Sequence, residues 1–325
     1  MTLTDISRPI SGDLKAFRKF FRDALRSKNL LLDAAIRYVL KRKGKQVRPM
    51  LVLLSASAAG GVSRRAYIGA TMVELLHTAT LVHDDVVDEA AERRGMPSVN
   101  SVWNNKTAIL VGDYMLAQGL RIANENREYG FLDITSKAVQ RMSEGELMQT
   151  SKTRKLDIRE EEYFRIISDK TASLISACCE IGAASASDDP EVCNALQDFG
   201  ELVGIAFQIR DDLFDYTSTG DAIGKPTGND LQEKKLTLPL IYTLNKAPRK
   251  EAKEIIKLIR NDRANPDERM KTVRAFVQKE GGLEYAEKTA YEYRDRARKA
   301  IEHLPDSPAK RALMDFAGFV VERKA

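Results

Sequence analysis

The chain is poor in helix breakers. Ten prolines and nineteen glycines are spread over 325 residues, which argues against many short strands joined by tight turns and favours long helices. Cysteine is scarce: Cys178, Cys179 and Cys193 show no CxxC spacing. That excludes a disulfide framework and points to a reducing compartment. No apolar run is long enough to span a bilayer. The opening MTLTDISRPI has no basic segment followed by an apolar stretch, so it does not read as a signal peptide. Charge of either sign is not in large excess: the net value is +5, too small for a nucleic-acid footprint without a basic stripe. The expectation is a cytoplasmic protein with no nucleic-acid partner and no transmembrane segment, with peripheral membrane contact left open.

What is present is helical pattern, almost from end to end. Hydrophobic residues make up 43% and charged residues 30%, ordinary for a globular protein. Within Ala66–Asp88, Ile68, Met72, Leu75, Leu76, Ala79 and Val82 recur at helical spacing. Tyr163–Ala184 and Val192–Tyr216 read the same way. Asp189-Pro190, Asn265-Pro266 and Ser307-Pro308 each put a side-chain acceptor at an N-cap and proline at the first helical position. There is no solenoid-type repeat, no Ser/Gly-rich linker and no convincing alternating stretch. The sequence predicts an all-α fold: a single domain over residues 1–325, a bundle of roughly a dozen helices packed on one another.

Two acidic segments interrupt this pattern. Leu81 to Asp88 reads LVHDDVVD and Gln208 to Asp215 reads QIRDDLFD; both are DDxxD, and both end an apolar helix. Residues i and i+4 share a helix face, so Asp84 projects with Asp88 and Asp211 with Asp215. Like charges at that spacing destabilise a helix, and placing them on an apolar face adds desolvation. A bound cation would offset this. Carboxylate-only donors favour hard cations, magnesium first, and magnesium commonly bridges carboxylates to substrate phosphates. One such motif alone is usually a solvated turn; two at apolar helix ends point to function.

Diphosphate also needs cationic donors. Lys45 and Arg48 lie in the loop-like segment GKQVRP before an apolar helix. Arg93 and Arg94 follow the first acidic motif within one or two turns, and Gly95 then breaks the helix. Lys170-Thr171, the GKPTGND loop with Lys225, and Lys235 come later. Arginine supplies forked hydrogen bonds and lysine a compact charge. The Gly-containing loop lacks Walker spacing. Singly, these are ordinary surface residues; together they suit two anionic substrates.

With these residues in view, the sequence resembles the trans-type polyprenyl diphosphate synthases over nearly its whole length. GKQVRP, HDDVVDEAAERRG, DKTASL, QIRDDLFDY and GKPTGND match that family's motifs in order, and the basic end near Arg323 matches as well. The resemblance implies an isoprenoid synthase-like bundle around a central tunnel. It implies that Lys45, Arg48, His77 and Arg94 bind isopentenyl diphosphate, and that Arg93, Lys170, Thr171, Gln208, Lys225 and Lys235 bind the allylic diphosphate. Asp84, Asp88 and Asp211 would hold magnesium, with Asp85, Asp212 and Asp215 in support; Asp212 and Asp215 are counted among the metal residues. The implied catalytic set is Asp84, Asp85, Asp88, Lys170, Thr171, Gln208, Asp211 and Lys225. The implied reaction is ionisation, condensation and proton loss, and the implied assembly a homodimer.

Product length depends on where the growing apolar chain meets a wall. One turn before Asp84 stand Ala79 and Thr80, where relatives with fifteen-carbon products typically carry a bulky aromatic. Met115, Met142 and Met148 are candidates for a deeper floor, though each is equally an ordinary core methionine. Each turn advances about 5.4 Å, so deeper residues set the final limit; the expectation is a long product of roughly thirty to fifty carbons, with an octaprenyl (C40) chain the central one.

Other readings stay open. A short-chain (C15–C20) synthase of the same family would have a higher floor. A non-catalytic subunit of a heteromeric synthase would fail to turn over alone. His77, His83 and Asp84 resemble ligands of HD-type metal phosphohydrolases, which leaves the second DDxxD unexplained. A di-iron bundle would want paired Glu-x-x-His segments, which are absent. A terpene cyclase would usually lack the second DDxxD and the Lys45/Arg48 pair.

Overall fold

The computed structural model describes residues 1–41, 44, 46–93, 95–217, 229–261 and 265–323. Helix dominates, as the pattern predicts. The order is α1 (Leu3–Ile6), a 3-10 turn (Arg8–Ile10), α2 (Ser11–Ala24), α3 (Leu30–Lys41), α4 (Val47–Ala59), α5 (Arg64–Val87), β1 (Glu92–Arg93), β2 (Met96–Pro97), α6 (Val99–Val102) and α7 (Asn105–Glu125). It continues with α8 (Tyr129–Lys155), α9 (Glu160–Ile167), a π turn (Ser168–Ala172), α10 (Ser173–Ala184), α11 (Pro190–Thr217), α12 (Asn229–Gln232), α13 (Leu238–Lys246), α14 (Arg249–Arg260), α15 (Pro266–Lys279), α16 (Gly282–Ala300) and α17 (Pro308–Glu322). The one-turn helices raise the number above the dozen expected.

The three cap-plus-proline signals mark real starts: α11 begins at Pro190, α15 at Pro266 and α17 at Pro308. Asn265 Oδ1 accepts from the N–H groups of Asp267 and Glu268, Asp189 Oδ1 from that of Glu191, and Ser307 Oγ from that of Lys310. Each satisfies a donor the helix leaves without an internal partner.

The chain forms two compact units: Met1–Ser136, Ala177–Gln197 and Leu304–Leu313; and Lys137–Ser176, Asp198–His303 and Met314–Ala325. No single cut of the sequence separates them, which supports keeping residues 1–325 as one proposed domain.

In the first unit α5 packs on α2, α4, α6 and α7. Its expected apolar stripe is buried, and Ala70, Thr71 and Val73 are buried with it. A helix covered on several sides needs apolar residues beyond one stripe. The α5–α7 approach is close: a Cβ on Gly112 would lie 2.2 Å from His83 Nε2, so a side chain there would require the His83 ring to shift. Large enclosed side chains such as Phe17 and Phe131 each stabilise the fold by roughly 1.5–3 kcal/mol. In the second unit α13 packs on α9, α15 and α16, and Phe199 is enclosed. No helix among the described residues is long and apolar enough to cross a membrane.

Two local expectations need correction. The helix carrying the first acidic motif ends at Val87, with Asp88 as C-cap, not at Gly95. Glu92–Arg93 and Met96–Pro97 pair instead as a two-residue antiparallel ladder, and Gly95 sits at φ 72° in the turn between them, a conformation glycine adopts without cost. Arg48 is not in a loop but in the first turn of α4, which follows Gln46 at φ 49°.

Candidate active site

The first acidic motif forms the C-terminal end of α5. Asp84 and Asp88 are exposed one turn apart, and the Asp88 N–H donates to the Asp84 carbonyl at 2.8 Å. A helix C-terminus already carries partial negative charge, so two carboxylates there concentrate potential that suits a divalent cation. Between them Asp85 is fully buried and pairs with the Arg93 guanidinium on β1 through Nε. The loop behind is pinned: the Ala90 N–H donates to the Asp85 carbonyl at 2.9 Å and Ser98 Oγ to the Ala90 carbonyl at 2.6 Å.

His83 is placed differently. Its Nε2 lies 3.2 Å from the Ile109 carbonyl and 3.5 Å from Asp113 Oδ1 on α7. Among the described residues, no group of three or more His, Cys, Asp or Glu side chains is arranged to hold a metal by protein ligands alone. A phosphohydrolase of the HD type would need such a cage; magnesium does not, since it takes one or two carboxylates and completes its shell with water and phosphate.

His77, Ala79 and Thr80 lie on the same helix. Ala79 is wholly enclosed; Thr80 is half-buried and its hydroxyl donates to the His77 carbonyl at 2.9 Å. Met115, on α7, is fully buried, while Met142 and Met148 on α8 are half-buried. Lys45, Arg94 and Lys225 lie outside the described residues.

The second unit brings Lys170, Thr171, Gln208, Asp212 and Lys235 around one cavity of about 100 Å³, with Gln149, Lys152, Tyr163 and Asp230 also in its wall. A chain of hydrogen bonds joins Thr171, Gln208, Asp212 and Tyr163. Thr171 Oγ1 donates to Gln208 Oε1 at 2.8 Å, Gln208 Nε2 to Asp212 Oδ1 at 2.8 Å, and Tyr163 Oη to Asp212 Oδ2 at 2.7 Å. Lys170 Nζ donates to Gln149 Oε1 at 2.6 Å and pairs with Glu146 at 2.5 Å.

Asp212 is buried with both oxygens engaged by neutral donors. Burial, followed by the nearby Asp230 carboxylate, pushes its pKa up to about 8. Burial and then Asp215 raise Asp230 to about 6, with Lys235 opposing. Both shifts favour the protonated acid, and the same wall carries Lys152, Lys170 and Lys235. Asp211 is instead exposed and accepts from Arg323 at 2.9 Å. That guanidinium lies 4.1 Å from the Phe207 ring centroid and 5.2 Å from that of Phe214. Asp215 Oδ2 accepts from the Asp230 N–H at 3.3 Å.

Sequence reasoning gave no role to Tyr163, Gln149, Glu146 or Asp230. Tyr163 and Asp212 are 49 residues apart, and no local pattern announces their bond. Asp230 stood inside the GKPTGND segment and was open to notice there.

Residues 29–276 match the family model described as polyprenyl synthetase. The all-trans-nonaprenyl-diphosphate synthase (geranyl-diphosphate specific) of Rhodobacter capsulatus is 38% identical over 98% of this chain and 97% of its own length. The octaprenyl diphosphate synthase of Escherichia coli K12 is 34% identical over 99% of both. Among solved structures, the polyprenyl synthase from Caulobacter crescentus CB15, complexed with calcium and isoprenyl diphosphate, superposes with a TM-score of 0.89 at 31% identity, over 100% of this chain and 98% of that one.

Proposed function

This chain belongs to the polyprenyl synthetase family, and from that premise we propose that it joins isopentenyl diphosphate head to tail to an allylic diphosphate, releasing diphosphate and lengthening an all-trans chain. It is a prenyltransferase, and its full-length relatives make long chains; the proposed product is C40.

The observation that carries the residue assignment is the convergence of Lys170, Thr171, Gln208 and Lys235 on one small cavity beside a buried acid. These groups suit the diphosphate of the allylic substrate: two ammonium groups for its charge, a hydroxyl and an amide for its oxygens. Lys225 and Arg93 are proposed for the same substrate. The Arg93 guanidinium also pairs with Asp85. Lys45, Arg48, His77 and Arg94 are proposed for isopentenyl diphosphate.

A divalent cation, by proposal magnesium, fits the donor set, which is all oxygen and sits at helix ends where the backbone dipole is negative. Asp84 and Asp88 at the one helix end and Asp211 at the other would hold magnesium, with Asp85, Asp212 and Asp215 in support. When bound, the metal offsets charge on the leaving diphosphate. The chain's own residues orient and neutralise the diphosphate before it leaves, at no reorganisation cost during the reaction. The allylic cation so released is attacked by the double bond of isopentenyl diphosphate, and a proton passes from the condensed cation to the departed diphosphate, restoring the double bond. No side-chain nucleophile is required.

The exposed Ile109 and Leu120 lie on one stripe of α7, with Leu110 beside them. A surface of this kind supports a homodimer. Location in the cytoplasm is likewise proposed.

The test is a product assay with farnesyl diphosphate, labelled isopentenyl diphosphate and magnesium, with an EDTA control. A metal-dependent ladder ending near C40 is expected. No incorporation from any allylic primer by the purified chain would contradict the reading in favour of a subunit that needs a partner. Ala79→Tyr should shorten the ladder; unchanged product length would sink the ruler argument.

A further inference from the structure

The second unit carries a helix irregularity that the reaction alone does not explain. Ser168–Ala172 forms one π turn between α9 and α10, closed by the Ser173 N–H donating to the Ser168 carbonyl. A widened turn departs from the regular helical bonding pattern and is frequent at functional positions. Here it divides its residues between two environments. Lys170 and Thr171 line the cavity. Ser168 and Asp169 do not; they meet Arg141 of α8.

Arg141 Nε donates to Asp169 Oδ1 at 2.8 Å, and one terminal nitrogen donates to Glu201 Oε2 at 3.2 Å. The other donates to Glu201 Oε1 at 2.7 Å and to Ser168 Oγ at 2.8 Å. The Ser168 hydroxyl also donates to Glu201. One planar guanidinium therefore ties the widened turn to α8 and to α11, in the forked geometry that lysine cannot reproduce. The neighbouring backbones make room for it. A Cβ on Gly145 of α8 would lie 2.9 Å from the Lys170 backbone nitrogen, and one on Gly204 of α11 would lie 2.5 Å from Ala172 Cα. Two glycines admit the bulge, and Arg141 fixes how it is turned.

We propose that Arg141 is a positioning residue for the allylic diphosphate: with Asp169, Glu201 and Ser168 it sets the rotation of the widened turn, so that Lys170 and Thr171 present their polar atoms to the cavity. The inference rests on the reading of Lys170 and Thr171 as diphosphate-binding residues and adds a group that does not line the site. The bland alternative is a partly exposed ion-pair cluster that contributes little beyond modest stability. The two differ in what they do to substrate affinity.

The experiment is steady-state kinetics on the full chain with magnesium, varying farnesyl diphosphate and isopentenyl diphosphate in turn. Arg141→Met should raise KM for the allylic substrate on the order of tenfold, the size of effect seen when a residue that orients a ligand is lost, with KM for isopentenyl diphosphate within about twofold. Arg141→Lys should recover only part of the loss. Because Arg141 acts through the turn, Arg141→Met should add little to Lys170→Ala in the double variant. An unchanged allylic KM, an equal rise in both KM values, or full additivity with Lys170→Ala would overturn the proposal. Should Arg141→Met fail to fold, Glu201→Gln removes half the clamp at nearly constant shape and is judged by the same selectivity. If Lys170→Ala itself leaves the allylic KM unchanged, the diphosphate reading of Lys170 fails, and the inference falls with its premise.

Discussion

The two acidic motifs are spelled alike but set in different surroundings. Each ends a long helix, each exposes its first aspartate, and each buries its second. In the first, buried Asp85 meets a guanidinium, Arg93. In the second, buried Asp212 meets a phenol and an amide, Tyr163 and Gln208, and its carboxyl is pushed up to about 8. The exposed acids suit a cation arriving with substrate. The buried ones brace the helix end, one by charge and one by neutral hydrogen bonds. A repeated motif therefore need not mean a repeated role at every position.

The largest expected effect breaks the likeness at the exposed acids. Asp84→Asn and Asp211→Asn should each lower kcat on the order of 10²–10³-fold, the cost typical of removing one charge-stabilising contribution from a transition state. Initial rates at saturating substrates measure this, and a large loss in one variant only would show that the motifs are not equivalent where they look most alike.

The buried acids should part company in stability. Asp85→Asn strands the Arg93 charge and should cost about 2–3 kcal/mol in urea unfolding, the lower part of the range for a broken buried pair because Arg93 is partly exposed. Asp212→Asn keeps an acceptor for Tyr163, and Gln208 can turn its amide to match, so the cost should stay under about 1 kcal/mol. Equal losses would contradict the distinction between charged and neutral bracing.

A smaller effect lies in pH. The folded pKa of Asp212 is raised, so between the ordinary carboxylate range and about 8 the folded state holds a proton that the unfolded chain has lost. Stability of metal-free protein should therefore decline as pH rises from about 4 to about 8 and level off above, by at least about 1 kcal/mol from this group. Asp212→Asn should flatten that slope in urea midpoints taken across the window. A slope unchanged by the substitution would count against the assignment.

Much of this was legible in residues that act locally. The α5 stripe, the three cap-plus-proline starts and the DDxxD spacing are all written within a few positions. The aspartates that match the motif are at helix ends, and His77 and Gln208 are on helices that the pattern predicts, whereas Arg48, expected in a loop, lies in α4 and Lys170 and Thr171 fall in the π turn. What the sequence concealed acts at a distance or breaks a period. Tyr163–Ala184 reads as one helical stretch, yet it contains the π turn at Ser168, because a single extra residue per turn barely disturbs an apolar period. The Arg141–Glu201 pairing spans 60 residues and the Asp211–Arg323 pairing 112. Charge on a helix surface does not say which distant partner it will meet.

The division between exposed and buried acids is tested most directly by titrating magnesium against the elongation rate for the wild-type chain and for Asp84→Asn, Asp85→Asn, Asp211→Asn and Asp212→Asn. The account expects half-saturation to move to higher magnesium in the Asp84 and Asp211 variants and to stay within about twofold of wild type in the Asp85 and Asp212 variants, whose cost falls on stability or allylic KM instead. Equal displacement in all four would contradict it, since burial would then not separate the acids that hold the metal from those that brace them.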